Sequence, residues 1–277
     1  MKLKYYGTGA AEGIPAMFCS CDICEKSRAA AGRNIRTRSQ AMVDDRLLID
    51  FGPDTYLHVL HGGLPMKTAE TLLITHNHAD HVYPTNIEMR RVAFAHGKDM
   101  QPLHIYGTAG ACGAFSPGVE KFRLSEDNRV YLHEIQPFHP FSAEGYTITP
   151  LRADHDPKAD PIFYAIAKDG KQMLYAHDTG YFPEETWAYL EQEKPYFSLI
   201  SLDCTGMTDE SYYHNHMGLK TCGQVKERLE QIGAGDKNTR WIVNHFSHNG
   251  KATYDELVPL AQEKGFLVSY DGLEVEF

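Results

Sequence analysis

Short apolar runs and alternating stretches recur along the chain, with the period of two that marks β-strands. They predict strands at Lys2 to Tyr6, Ala41 to Asp50, Thr71 to Thr75, Leu103 to Tyr106, Val130 to Glu134 and Tyr146 to Arg152. Further strands are predicted at Ile162 to Ala167, Gln172 to Ala176, Phe197 to Leu202, Trp241 to Val243 and Phe266 to Tyr270. Asp44-Asp45 and Asp169-Gly170 supply the residues that tight hairpin turns need. Helical spacing is clearest from Gly218 to Ile232, where Leu219, Val225, Leu229 and Ile232 share a face and Gly233 provides a stop. Weaker helical patterns run Pro84 to Phe94, Glu184 to Glu191 and Tyr254 to Lys264. No internal repeat or low-complexity linker divides the pattern, so residues 1–277 read as one α/β domain.

Composition narrows the class of partner. The formal net charge is −10 and the pI about 5.8, which argues against a broad basic footprint for long nucleic acid. A small substrate fits better. No run approaches the roughly 20 apolar residues that a membrane span needs. Met1 to Gly7 reaches glycine before an apolar signal segment could form, so the expected location is cytoplasmic. Six cysteines occur, and Cys19, Cys21 and Cys24 fall within one six-residue window. In a reducing compartment that spacing favours a metal over disulfides, whereas Cys112, Cys204 and Cys222 read as packed thiols.

The densest chemical signal is His76-Asn77-His78-Ala79-Asp80-His81, four ligand-type side chains directly after the apolar run Leu72-Leu73-Ile74. Imidazole and carboxylate together suit divalent zinc, manganese or iron. Asp154-His155, His177-Asp178 and Asn244-His245 each follow another predicted strand. His58, His61, His96, His104, His133 and His139 lack such company, and no role is assigned to them. The order H-x-H-x-D-H, then a His, an Asp and a last His, resembles the metallo-β-lactamase superfamily. That resemblance implies a four-layer αββα sandwich and two divalent ions, Zn or Mn. It would place His76, His78 and His155 on one ion, Asp80, His81 and His245 on the other, and Asp178 between them. His177 would be a neighbour of the site rather than a ligand.

The N-terminal Tyr6-Gly7-Thr8-Gly9-Ala10-Ala11-Glu12-Gly13-Ile14-Pro15, followed by Cys19-Ser20-Cys21-Asp22-Ile23-Cys24, is similar to the phosphodiesterases of the carbon–phosphorus lyase pathway. Its glycines are no dinucleotide loop, because the spacing is off by one and Pro15 with the cysteines replaces the helix. Three thiolates leave a tetrahedral structural zinc one ligand short, and the resemblance supplies His248. Two ions about 3.5 to 4 Å apart acidify a bridging water, hold a phosphoryl oxygen and stabilise developing charge, so a bridging hydroxide is the expected nucleophile. His214 and His216 are equally placed as general acid by composition. The resemblance selects His216, which with Asp80 completes the catalytic candidates.

The expected activity is hydrolysis of a small or cyclic phosphodiester, and the resemblance also makes a homodimer plausible. Rival readings keep the metals but change the substrate: Asn244-His245-Phe246-Ser247 also resembles transfer-RNA 3′-processing enzymes, although no basic RNA-clamping run is present, and a thioester or lactone hydrolase shares the ligands. A di-iron redox enzyme would carry a carboxylate where His78 stands. The non-enzyme reading is a zinc loop for partner binding beside a vestigial site. Val82 to Met100 and Asp156 to Pro161 match no motif and are expected to border the cleft.

Overall fold

The computed structural model describes residues 1–97 and 100–277, so residues 98 and 99 of the segment expected at the cleft lie outside the described residues. One seven-stranded sheet contains β1 (Lys2–Gly7), β2 (Gln40–Val43), β3 (Leu47–Ile49), β4 (Thr71–Leu73), β5 (Leu103–Gly107), β6 (Val130–Glu134) and β14 (Glu274–Glu276), in the order β14-β1-β2-β3-β4-β5-β6. The second contains β7 (Phe141–Ala143), β8 (Tyr146–Arg152), β9 (Ile162–Lys168), β10 (Lys171–Ala176), β11 (Leu199–Asp203), β12 (Arg240–Asn244) and β13 (Leu267–Val268), ordered β13-β12-β11-β10-β9-β8-β7. The helices are α1 (Asp22–Ala30), α2 (Thr55–His61), α3 (Ala109–Lys121), α4 (Glu184–Glu193), α5 (Leu219–Gln231) and α6 (Tyr254–Glu263).

Strand periodicity builds four layers from these parts. In β3, Leu47 and Ile49 join the core between the sheets, while Leu48 faces the opposite way into the core that contains Phe115 and Val119 of α3. Ile162, Tyr164 and Ile166 of β9 likewise face the first sheet; Phe163 and Ala165 pack in a third core with Trp187 of α4, Val225 of α5 and Leu257 of α6. Both faces of such strands are buried, which is why they read as unbroken apolar runs. The result is the αββα sandwich expected from the sequence.

Three helices and two strands carry no adequate signal in the sequence. Within α3, Gly110, Gly113, Pro117 and Gly118 would each argue against a helix, yet it buries Ala111, Cys112, Phe115 and Val119, and packing overrides propensity. In α2, Tyr56, Leu57 and Leu60 are exposed, so its polarity is inverted. The nine residues of α1 overlap the cysteine window, and β7 and β14 are three-residue edge strands. The predicted helix from Pro84 is a 3₁₀ segment, Pro84–Arg90.

The topology brings the chemistry to one rim. β3, β4, β5 and β6 run parallel, as do β10, β11, β12 and β13. β8 pairs antiparallel with β9, and β9 antiparallel with β10, so β8 ends at the same rim as β10. The two predicted hairpins form at the opposite end, with Asp44, Asp45, Asp169 and Gly170 all at positive φ. On the rim that carries the ligand-type residues, Phe51 N donates to His81 O at 2.8 Å, and a Cβ on Gly52 would fall 1.9 Å from the Asp80 carbonyl oxygen. Backbone cannot yield there as a side-chain tip does. Gly52→Ala should therefore displace the 76–81 loop and destabilise the protein by about 1–3 kcal/mol, the usual cost of overpacking; chemical denaturation measures it, and a neutral result would show that the loop adapts freely.

Candidate metal centre

Each ligand-type residue sits just beyond a strand. His76, His78, Asp80 and His81 follow β4, His155 follows β8, Asp178 follows β10 and His245 follows β12. The 76–81 loop closes on itself, with His81 N and Val82 N donating to His78 O at 3.0 and 2.8 Å. Asp178 and His245 adopt left-handed backbone, φ 50° and 64°; such conformations in residues other than glycine concentrate at functional sites. Side-chain donor atoms of His76, His78 and His155 lie within 4.8 Å of one another, as do those of Asp80, His81 and His245. Asp178 Oδ2 stands 3.0 Å from both His81 Nε2 and His245 Nε2, and Asp178 Oδ1 is 3.7 Å from His155 Nε2.

Four buried atoms at this convergence, His76 Nε2, His81 Nε2, Asp178 Oδ2 and His245 Nε2, have no hydrogen-bond partner among the described residues. An unsatisfied buried polar group costs about 1–3 kcal/mol, and here the atoms face one another. Imidazole nitrogen with carboxylate oxygen is a donor set that a divalent ion fits. Burial, reinforced by His81, keeps the His76 imidazole well below its usual pKa and therefore neutral, as a ligand must be. At His81 burial acts in the same sense, but Asp80, Asp178 and Asp50 overcome it and hold the imidazole well above its usual value. Asp178 in turn stays well below the carboxylate range, since His245 and His81 outweigh its burial.

Two carboxylates that sequence reasoning missed orient this cluster. Asp50, just after β3, accepts from Thr75 N at 2.9 Å and meets His81 Nδ1 at 2.7 Å. Asp203, the last residue of β11, accepts from the backbone N–H groups of Asp178, Thr205 and Met217, each at 3.0 Å, and from His216 Nδ1 at 3.1 Å. Hydrogen bonding of this kind fixes ligand geometry from behind. Burial would depress the His216 imidazole, but the Asp203 carboxylate reverses this and raises it to about 9. The only signal in the sequence was a lone Asp closing an apolar run.

His216 packs against His155 with ring centroids 4.8 Å apart, whereas His214 is exposed and turned to Asp154. His177 lies buried beside the cluster, its Nε2 2.8 Å from Ser201 Oγ. His58 is tied to Gln40 and Thr37 in the core, and His104 pairs with His133 at 2.8 Å. Elsewhere Cys19, Cys21, Cys24 and His248 bring four donor atoms within 4.8 Å. Cys21 Sγ is 3.3 Å and Cys19 Sγ 3.6 Å from His248 Nδ1. A backbone hydrogen bond from Cys24 pulls the Cys21 thiol down to about 6. Every site residue expected from the sequence thus falls in one of two clusters, joined by the short segment from His245 to His248.

Imidazoles and carboxylates gathered where two sheets of an αββα sandwich meet define the metallo-β-lactamase class. The model of the beta-lactamase superfamily domain matches residues 45–246, and the chain belongs to that family. An octanoyltransferase of Porphyromonas gingivalis is 25% identical over 284 residues, covering 99% of this chain and 51% of that protein. A ribonuclease Z of Listeria innocua is 26% identical over 175 residues, 62% of this chain and 51% of that protein. The chain spans about half the length of these curated relatives. Among solved structures, a diphosphatase of the PhnP family superposes with a TM-score of 0.74 at 18% identity, covering 100% of this chain and 96% of that one. Zinc-bound PqqB from Methylobacterium extorquens gives 0.75 at 19%, covering 100% of both chains. At such identities the structures establish the fold.

Asp203→Asn isolates one of these interactions. A raised imidazole pKa contributes stability that is complete below the ordinary value of 6.5 and disappears as pH climbs through about 9. In metal-free protein the His216 titration should move down in the variant by NMR, and the stability gap to wild type should narrow between pH 6.5 and 9. An unmoved titration would show that Asp203 does not set it.

Proposed function

We propose that the protein is a metal-dependent hydrolase of small phosphodiesters, working with two divalent ions, Zn or Mn, and carrying a separate structural zinc. The convergence of unpartnered His76 Nε2, His81 Nε2, His245 Nε2 and Asp178 Oδ2 supports it most directly. His76, His78 and His155 would hold one ion, Asp80, His81 and His245 the other, with Asp178 between; Cys19, Cys21, Cys24 and His248 would hold the zinc. When bound, such a pair supplies Lewis acidity and a water acidified to near neutrality.

The chain's own residues provide the rest. His216 Nδ1 is committed to Asp203, so its Nε2 is the atom free to hand a proton to a departing alkoxide. An imidazole raised to about 9 carries that proton at neutral pH. The PhnP-family diphosphatase and the ribonuclease Z support phosphorus ester chemistry. The ribonuclease Z likeness alone favours an RNA 3′ end as substrate, but a net charge of −10 favours a small one. We infer a cytoplasmic location from the sequence alone; separately, no helix among the described residues is long and apolar enough to cross a membrane.

With Zn²⁺ or Mn²⁺ the protein should hydrolyse bis(p-nitrophenyl) phosphate, and Asp178→Ala should not; an inert wild type or an unimpaired variant overturns the assignment. His216→Ala should slow release of alkyl alcohols by about 10²–10⁴-fold, the usual share of general acid catalysis, and release of p-nitrophenolate far less. Equal losses would mean that His216 is no proton donor. Elemental analysis separates the two clusters: Cys21→Ala should lose one zinc and Asp178→Ala the paired ions, whereas identical losses from both would contradict independent sites.

A further inference from the structure

Asp154 and His214 form a hydrogen-bonded pair at the rim that the mechanism above does not use. Asp154 immediately precedes His155, and its Oδ2 accepts from His214 Nδ1 at 2.9 Å while the His214 side chain remains 76% exposed. An exposed pair adds little to stability, so folding does not account for it. Its backbone setting is nonetheless tightly fitted. Gly180 N donates to Asp154 O and Tyr181 N to Tyr213 O, each at 2.8 Å. A Cβ on Gly180 would stand 2.4 Å from Tyr213 O and 2.7 Å from both Asp154 Oδ2 and His214 Cα. Tyr213, 41% exposed, stacks on Tyr181 with centroids 5.2 Å apart and planes 7° from parallel. Asn215 O lies 3.0 Å from His155 Nδ1, so the pair is one residue from the ligand cluster along one segment and two from His216 along the other.

Committing Nδ1 to Asp154 orients the ring and leaves Nε2 as the edge that meets solvent or a bound molecule. A hydroxyl can both donate and accept, so it satisfies Nε2 in either protonation state. A second phosphate would meet the carboxylate beside it as a like charge. We propose that His214, positioned by Asp154, is a specificity determinant that hydrogen-bonds a hydroxyl on the alcohol portion of the diester. This rests on the phosphodiesterase reading and narrows it to small diesters of polyols or sugars.

The test compares 3-hydroxypropyl p-nitrophenyl phosphate with propyl p-nitrophenyl phosphate on the metal-loaded enzyme, since the two differ by one hydroxyl. Wild type should favour the hydroxylated ester by about fivefold in kcat/KM, the value of one ordinary hydrogen bond, with the difference carried by KM. In His214→Ala the ratio should fall to about one, in His214→Gln part of it should return, and Asp154→Asn should lie between. Turnover of both esters without preference, or a preference that survives His214→Ala, overturns this inference alone. Failure to hydrolyse either ester overturns the phosphodiesterase reading and the inference with it.

Discussion

One carboxylate joins the two halves of the molecule. Asp178 belongs to the second sheet, and its Oδ2 stands equally close to His81, delivered by the first sheet, and to His245, delivered by its own. Such a group can be buried only if positive charge surrounds it. Asp80, Asp178 and Asp203 raise the pKa values of His81 and His245 against the pull of burial, so both imidazoles are biased toward the positive charge that Asp178 needs. A divalent ion would supply the same charge, so metal and protons would compete for the same atoms. The rest of the fold supports this centre by fixing the two sheets relative to each other. Contacts across the interior, such as Tyr5 to Ser201 at 2.7 Å and Tyr164 to Ile74 O at 2.6 Å, tie the sheets together behind the ligands.

What was legible in the sequence follows from this economy. The central strands bury both faces, so Leu47 to Ile49 and Leu72 to Ile74 stand out as apolar runs, and the ligands follow them with almost no intervening chain. Four such residues within six positions cannot be mistaken for a turn. Asp50 and Asp203 were invisible because each is a single carboxylate among many, and its meaning lies in the distant N–H groups it receives. His214 and His216 were equal by composition and only the family resemblance preferred His216; in the structure, two residues apart, they point to different carboxylates. Helix α3 was missed because its glycines and proline are tolerated only where Phe115 and Val119 find a sheet to cover.

The cysteine cluster is a second kind of constraint. Gly9 and Phe246 pair as a parallel bridge, Ala10 N donates to Phe246 O at 2.8 Å, and Ser247 Oγ is bonded to Glu12. The N-terminal loop is therefore sewn to the stretch between His245 and His248 before any ion is considered. An ion held by three thiolates and His248 would lock that seam. Its effect on His245 would be indirect, through the left-handed turn that directs the imidazole inward.

The hairpins at Asp44-Asp45 and Asp169-Gly170 occupy the far end of the sandwich from the ligands. Asp44 also accepts from Lys2 N at 2.6 Å and from the Tyr146 hydroxyl at 2.7 Å, but neither turn reaches the ligand-type residues, because every strand running away from the turns delivers them at the other pole. Lengthening either loop should thus be nearly free of consequence for the chemistry, which makes that pole the natural place for lineages of this fold to acquire appendages and for an experimenter to attach a label.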